Sequence, residues 1–345
     1  MKRTAFVLLA AVVMLISCGN VYRYTNDTFF AMNTVVNTVV SEEIGEDYTQ
    51  EVISDIEKRM SRTLVDSEIS CLNDGGEVVL SEDTFRVLEK ALQIARDTDY
   101  AFNPCMGALT DLWDITSGRN IVPSDEDIKA ALSFCDASLV EISDGKVIIP
   151  DGMKIDLGGV AKGYALQEAS KRLTDAAKEK FAGADFCISL GGNVAVSGTS
   201  QSRKESGHTG WNVGITNPFE KGELLGTLTL DFGYVSVSGG YERFFEKDGK
   251  IYHHIFDSKT GYPSDSGLAC AVVISDDGLC ADALSTALFV MGSDRAQEFY
   301  RSKAYDFEMI LVKENGDVLV SEGIFDDVSV KENSKNINSE KVKII

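Results

Sequence analysis

Histidine, tryptophan and proline are scarce in this chain: 3 His, 2 Trp and 5 Pro in 345 residues. So few prolines, without a Gly-X-Y period, exclude collagen and Pro-rich low complexity, and 44% hydrophobic residues exclude a disordered chain. Positive charge is also short. Lys and Arg number 33 against 54 Asp and Glu, a formal net charge of −21. A surface so acidic repels phosphate backbones, so no nucleic acid is expected as a partner. The sequence has no C-x-x-C, and the cysteines after Cys18 (Cys71, Cys105, Cys135, Cys187, Cys270 and Cys280) read as mostly buried small hydrophobes without a zinc site. There is no G-x-S-x-G, H-E-x-x-H, G-x-G-x-x-G or P-loop pattern, which argues against a serine hydrolase, a zinc peptidase and both common nucleotide-binding fingerprints.

Long apolar runs are likewise missing, with one exception at the start. Met1-Lys2-Arg3 is a short basic segment, and the apolar run from Ala5 to Ile16 is too short to span about 30 Å of hydrocarbon comfortably. It reads as an export signal over residues 1–17. The run ends in Leu15-Ile16-Ser17-Cys18-Gly19, which resembles a bacterial lipobox, with Cys18 as the lipidated residue and 18–28 as an anchored linker. Several acyl chains on one cysteine would hold the chain stably on a membrane.

Apolar residues at helical spacing predict helices over Tyr48 to Met60 and Glu82 to Asp97, and another from about Val160 to Lys178. Asp144-Gly145 and Asn315-Gly316, each between apolar runs, predict hairpins over Leu139 to Ile149 and Phe307 to Val320. Strands are expected at Lys154 to Leu157, Phe186 to Leu190, Trp211 to Thr216, Leu224 to Leu230 and Tyr234 to Val237. Helices and strands mix without strict alternation, which predicts an α+β fold with mixed, largely antiparallel sheets and packed helices. A catalytic region over 29–325 and a loose polar tail over 326–345 complete the expected organisation.

Glycine pairs follow predicted strands at Gly158-Gly159, Gly191-Gly192 and Gly239-Gly240, where a ligand could approach the backbone closely. The first pair opens a helix whose free N–H groups suit a phosphate, with Lys162 adding positive charge. Taken singly, each pair is more often a tight turn than a ligand site. In the helical run Ala281 to Met291, Asp282 and Thr286 share one face. They offer hard oxygen donors of the kind Mg²⁺ prefers, although spacing alone favours Asp282 as a cap or complement of the helix N-terminus. His253 and His254 are adjacent at a strand end, so only one of them can face a given site. Histidine is suited to proton transfer at a hydroxyl, and the sequence alone leaves a structural role open for both.

Together these segments resemble the ApbE-type FAD:protein FMN transferases, from about Phe29 to Gly292. The matching stretches are Met32-Asn33-Thr34, Asp66 to Ser70 with Leu72-Asn73, Phe102-Asn103-Pro104 through Trp113, Asp156 to Tyr164, Leu190 to Asn193, Ser238 to Phe244, His254 to Gly261, and Ala281 to Gly292. The resemblance implies an exported, Mg²⁺-dependent enzyme that splits FAD. It would join FMN to a threonine or serine hydroxyl of a target protein and release AMP. Asp282 and Thr286, with a backbone carbonyl at Gly159, would hold the metal. Met32, Thr63, Ala101, Phe102, Asn103, Asp156, Lys162 and Ile255 map to the flavin-nucleotide pocket, and His254 to the proton-transfer position. The acceptor would be an exported or membrane-bound flavoprotein carrying D-x-x-[ST]-x-A-T, a pattern this chain itself lacks.

Three departures from the family pattern bear on function. M-G-T is Met32-Asn33-Thr34 here, S-G-D-Y is Ser238-Gly239-Gly240-Tyr241, and a usual tyrosine is Thr63. Loss of an aromatic face would weaken flavin stacking by about 1–3 kcal/mol, by analogy with base stacking. An FAD pyrophosphatase yielding free FMN and AMP is therefore one alternative, and a non-catalytic FAD-binding lipoprotein is another.

Overall fold

The computed structural model describes residues 23–143, 145–180, 182–331 and 342–345. The expected signal segment and Cys18 lie outside the described residues. A nine-stranded sheet runs in the order Tyr24–Ala31, Thr34–Ser41, Phe186–Leu190, Asn193–Ser197, Phe232–Gly239, Leu268–Ser275, Glu308–Lys313, Val318–Val320, Val342–Ile344. Every neighbouring pair is antiparallel except the last. The α+β expectation holds.

The sheet is buried on both faces at its centre. Ala271, Val273, Met309 and Leu311 pack into the cluster under the helices. Their neighbours Cys270, Val272, Ile274, Ile310 and Val312 point the other way, as the two-residue period of a strand requires. There they meet Trp211, Val213, Ile215 and Leu228 of a three-stranded sheet built from Val328–Val330, Leu224–Leu230 and Trp211–Thr216. On the helical face lie Ala161–Glu179 and Gly278–Ser302, flanked by Thr49–Met60 and Glu82–Asp97. A third cluster joins Leu109, Trp113 and Ile128, from helices Gly107–Trp113 and Asp125–Leu132, to Phe245 and Phe256.

Asp277 caps the Gly278–Ser302 helix by accepting the Cys280 N–H at 2.9 Å. The helix expected over Ala281 to Met291 is its first limb. Gly292 (φ 75°) interrupts it, and a second limb continues to Ser302. Both expected hairpins form, at Glu141–Ser143 with Lys146–Ile148 and at Glu308–Lys313 with Val318–Val320.

Two expectations need correction. Lys154 to Leu157 joins no sheet. The Ile155 N–H instead donates to the Asn73 side chain at 2.6 Å, the Asn73 amide returns a bond to the Ile155 carbonyl at 2.9 Å, and Asp156 N–H reaches the Pro104 carbonyl at 2.7 Å. One asparagine thus supplies the paired donor and acceptor that a neighbouring strand would give. The segment from 326 onward, expected as a loose tail, places Val328–Val330 beside Leu224–Leu230 and Val342–Ile344 beside Val318–Val320. Alternating valines and isoleucines among the polar residues supply those pairings.

Candidate functional site

A cavity of about 710 Å³ opens where the sheet and the helices meet. Three tight turns deliver its backbone lining. The first joins Tyr24–Ala31 to Thr34–Ser41 through Met32 and Asn33 alone, with Ala31 paired to Thr34. Both turn residues have positive φ (50° and 59°), the combination that lets a two-residue hairpin follow the strand twist. Asparagine tolerates this region, whereas methionine is strained there. The turn brings Met32 to the cavity wall. Gly191-Gly192 makes a second two-residue hairpin, and Gly239-Gly240 ends the Phe232–Gly239 strand.

The glycines are needed for close approach. A Cβ on Gly192 would lie 2.7 Å from Glu242 Oε1, and one on Gly240 would lie 2.7 Å from the His253 ring. The second distance explains the departure at residue 240: as the loop stands, no side chain fits there without displacing His253. That histidine is buried, with Nε2 3.0 Å from the Ser264 carbonyl and its ring edge-on to Phe289, so its role is structural.

His254 faces the cavity. Its Nδ1 lies 3.3 Å from the Arg243 carbonyl. A carbonyl only accepts, so Nδ1 carries the proton and Nε2 keeps its lone pair. Burial, reinforced by the charge of Arg243, the neighbouring His253 and Lys162, lowers its pKa to about 3. The imidazole is therefore neutral at physiological pH.

Helices Ala161–Glu179 and Gly278–Ser302 cross at Gly163 and Gly278 with no space for a side chain. That approach lets the Gly163 N–H donate to Asp282 Oδ2 at 2.9 Å. The carboxylate is 5% exposed, and its other oxygen, Oδ1, lies 3.4 Å from Lys162 Nζ. Lys162 also reaches the Gly158 carbonyl at 3.2 Å. One turn along, Thr286 Oγ1 is 3.2 Å from Ser238 Oγ, which is 2.9 Å from Ser285 Oγ. A Cβ built on Gly159 would stand 3.8 Å from Thr286 Oγ1, so the glycine turn lies over the hydroxyl.

Asp282, Thr286 and the Gly159 turn, all in the cavity lining, offer hard oxygen donors with a single carboxylate. Among the described residues, no three His, Cys, Asp or Glu come together as a metal cage. Such a sparse set fits Mg²⁺, which keeps water and phosphate oxygens in its remaining positions. Lys162 now supplies the compensating positive charge.

The cavity lining includes Met32, Thr63, Ala101, Phe102, Asn103, Asp156, Gly159, Lys162, His254, Ile255, Asp282 and Thr286. All twelve positions singled out in the sequence, Cys18 apart, thus share one enclosure. Sequence reasoning missed Arg62, Asp111, Ser238, Glu242 and Arg243, which line it too. Ser238, Glu242 and Arg243 sat inside a matched stretch. Asp111 did so too, whereas Arg62, outside every matched stretch, carried no signal, because its meeting with Asp111 depends on folding.

Residues 32–311 match the model of the ApbE family. A FAD:protein FMN transferase of Klebsiella pneumoniae is 34% identical over 248 residues, covering 71% of this chain and 73% of that protein. One from Treponema pallidum is 33% identical, covering 77% and 76%. The crystal structure of an ApbE protein from Thermotoga maritima superposes with TM-score 0.78 at 32% identity, over 87% of this chain and 98% of that one. The family match over residues 32–311, the sequence identity to these transferases and the superposed fold lead to one assignment: the chain belongs to the ApbE family.

Proposed function

We propose that the protein transfers FMN from FAD to a threonine or serine hydroxyl of a target flavoprotein, with Mg²⁺ bound and AMP released. The observation that carries this reading is the divided Asp282 carboxylate. Oδ2 is held by the Gly163 N–H and Oδ1 meets Lys162 Nζ at 3.4 Å, and Asp282, Thr286, Gly159 and Lys162 all line the cavity. When bound at Asp282, Thr286 and the Gly159 carbonyl, Mg²⁺ supplies Lewis-acid compensation of pyrophosphate charge.

The residues of the chain do the rest. Lys162 and the N-terminal N–H groups of the Ala161–Glu179 helix bind and orient the phosphates. Met32, Phe102 and Ile255 provide apolar walls for a planar ring, and Asn103 and Asp156 provide polar contacts. His254 Nε2 takes the proton from the attacking hydroxyl. Its oxygen forms a new bond to the FMN phosphorus as the bond to the bridging oxygen breaks and AMP leaves. The N-terminal segment and Cys18 support export and lipid anchoring, which would place the enzyme near a membrane-bound or exported acceptor. Among the described residues no helix is long and apolar enough to cross a membrane.

Thr63 keeps the pyrophosphatase reading in play as a second outcome. It is exposed, its backbone N–H donates to Ser61 Oγ at 3.2 Å, and it offers no ring to the cavity. Mass spectrometry after incubation with FAD, Mg²⁺ and a domain bearing D-x-x-[ST]-x-A-T separates the two. A gain of one FMN on the acceptor with AMP release supports transfer. Free FMN and AMP with an unmodified acceptor support hydrolysis, and intact FAD refutes both.

A further inference from the structure

The loop that follows the Phe232–Gly239 strand carries a carboxylate into the cavity. Glu242 lines the wall and stands between two anchored neighbours. Tyr241 packs against the cluster on the far side of the sheet from the helices. The Arg243 carbonyl accepts the His254 backbone N–H at 3.2 Å and lies 3.3 Å from His254 Nδ1. The carboxylate is thereby carried over the Gly191-Gly192 turn, where a Cβ on Gly192 would meet its Oε1 at 2.7 Å.

Nothing in the chain answers this carboxylate. Glu242 is exposed, so solvent reaches it in the open cavity. Among the described residues it accepts no hydrogen bond and forms no ion pair. Lys162 is turned to Asp282 at 3.4 Å and to the Gly158 carbonyl at 3.2 Å instead. Desolvation by the cavity walls raises the Glu242 carboxyl above the ordinary carboxylate range, against the pull of Lys162 and Arg243.

Water can satisfy such a group only while the cavity is empty. A substrate that fills the cavity expels that water, and a carboxylate stripped of its donors is costly unless the ligand supplies replacements. A carboxylate only accepts, so the ligand must present a donor there. Phosphate oxygens are repelled, and the face of an aromatic ring has no donor to give. The charges of Lys162 and Asp282 both act on Glu242, which places it near the groups that would hold the pyrophosphate. In a flavin dinucleotide the donors flanking the pyrophosphate are hydroxyls: those of the ribose on one side and of the ribityl chain on the other. The N–H groups of the two ring systems lie farther out.

We propose that Glu242 is a specificity-determining residue that accepts a hydrogen bond from a sugar hydroxyl beside the pyrophosphate of the dinucleotide. This rests on the flavin-nucleotide reading above. It gives the unanswered carboxylate its partner and reads a part of the ligand that neither the metal site nor the apolar walls contact.

Two pairs of probes separate the two sugars. ADP is compared with dideoxy-ADP, which lacks the ribose hydroxyls, and FMN with an analogue whose phosphate is carried on a plain pentyl chain. Each is titrated against the full chain with Mg²⁺ present. In the wild type, the hydroxyl-bearing member of one pair should bind roughly tenfold to a hundredfold more tightly than its counterpart, the worth of one hydrogen bond to a charged group. Glu242→Ala should shrink that preference by about tenfold or more by the same reasoning. Removing a negative charge also favours phosphate binding, but equally for both members of a pair, so it cancels in the ratio. Glu242→Gln keeps an accepting oxygen and should retain part of the preference. Because the carboxylate has no partner in the chain, Glu242→Gln should unfold at no lower urea concentration than the wild type. The pair that loses its preference identifies the sugar. A preference unchanged in both pairs by Glu242→Ala, or a protein made less stable by Glu242→Gln, overturns the proposal. Failure of the wild-type chain to bind FAD, FMN and ADP alike would instead overturn the flavin-nucleotide reading itself.

Discussion

Replacing Gly163 with alanine sets two opposed effects against each other. In a helix interior alanine is favoured over glycine by about 1 kcal/mol. At this position, however, the new Cβ would stand 2.0 Å from the Gly278 carbonyl oxygen and 2.7 Å from Asp282 Cβ. The first obstacle is backbone, so relief requires the two helices to part. Overpacking of this kind costs about 1–3 kcal/mol, and separation also stretches the 2.9 Å bond from Gly163 N–H to Asp282. A hydrogen bond to a charged group is worth about 1.5–3 kcal/mol. The steric and hydrogen-bond losses together exceed the propensity gain, and Gly163→Ala should destabilise the protein by about 2 kcal/mol. Because the lost bond orients the carboxylate, apparent Mg²⁺ affinity should fall by about tenfold or more. Urea unfolding and a Mg²⁺ titration of FAD cleavage measure the two effects. Gly75→Ala is the control, since nothing lies within 4 Å of its Cβ. A Gly163→Ala protein as stable as wild type, with unchanged Mg²⁺ dependence, would refute the packing argument.

The other predictions concern the opposite wall and the mouth. With its pKa lowered from 6.5 to about 3, His254 in the folded chain refuses a proton that the unfolded chain accepts. Stability is therefore lost as pH falls through that interval. His254→Gln should flatten this part of a stability–pH curve, and an unchanged slope would contradict the assigned burial. Gly240→Asp restores the residue of the family pattern but pushes on the His253 ring, 2.7 Å from the new Cβ. It should lower stability by about 1–3 kcal/mol in chemical denaturation, and equal stability would show that the loop yields freely. Thr63→Tyr adds a ring at an exposed position of the lining. It should tighten flavin binding by about 1–3 kcal/mol and raise the share of FMN reaching the acceptor. An unchanged ratio of transferred to free FMN would exclude stacking as the control.

Much of the local structure was already determined by the sequence. The strands Phe186–Leu190, Trp211–Thr216 and Leu224–Leu230 fall where apolar alternation put them, because a half-buried strand advertises its period. The helices at Thr49–Met60 and Glu82–Asp97 follow for the same reason at a different period. Asp282 and Thr286 share a helix face by spacing alone. The first hairpin was not legible, since Tyr24–Ala31 is an edge strand with most residues exposed and so carries no apolar period. Lys154 to Leu157 looked like a strand because polar and apolar residues alternate there, while its partner, Asn73, is a side chain distant in sequence. Only the tertiary structure decided which partner each oxygen of Asp282 meets, which nitrogen of His254 keeps its lone pair, and that Arg62 joins Thr63 in the cavity lining. Each depends on a contact between distant segments: Gly163 with Asp282, Arg243 with His254, and Arg62 with Asp111 and Asp156. Periodicity records which face of an element is buried, but not which atom meets it there.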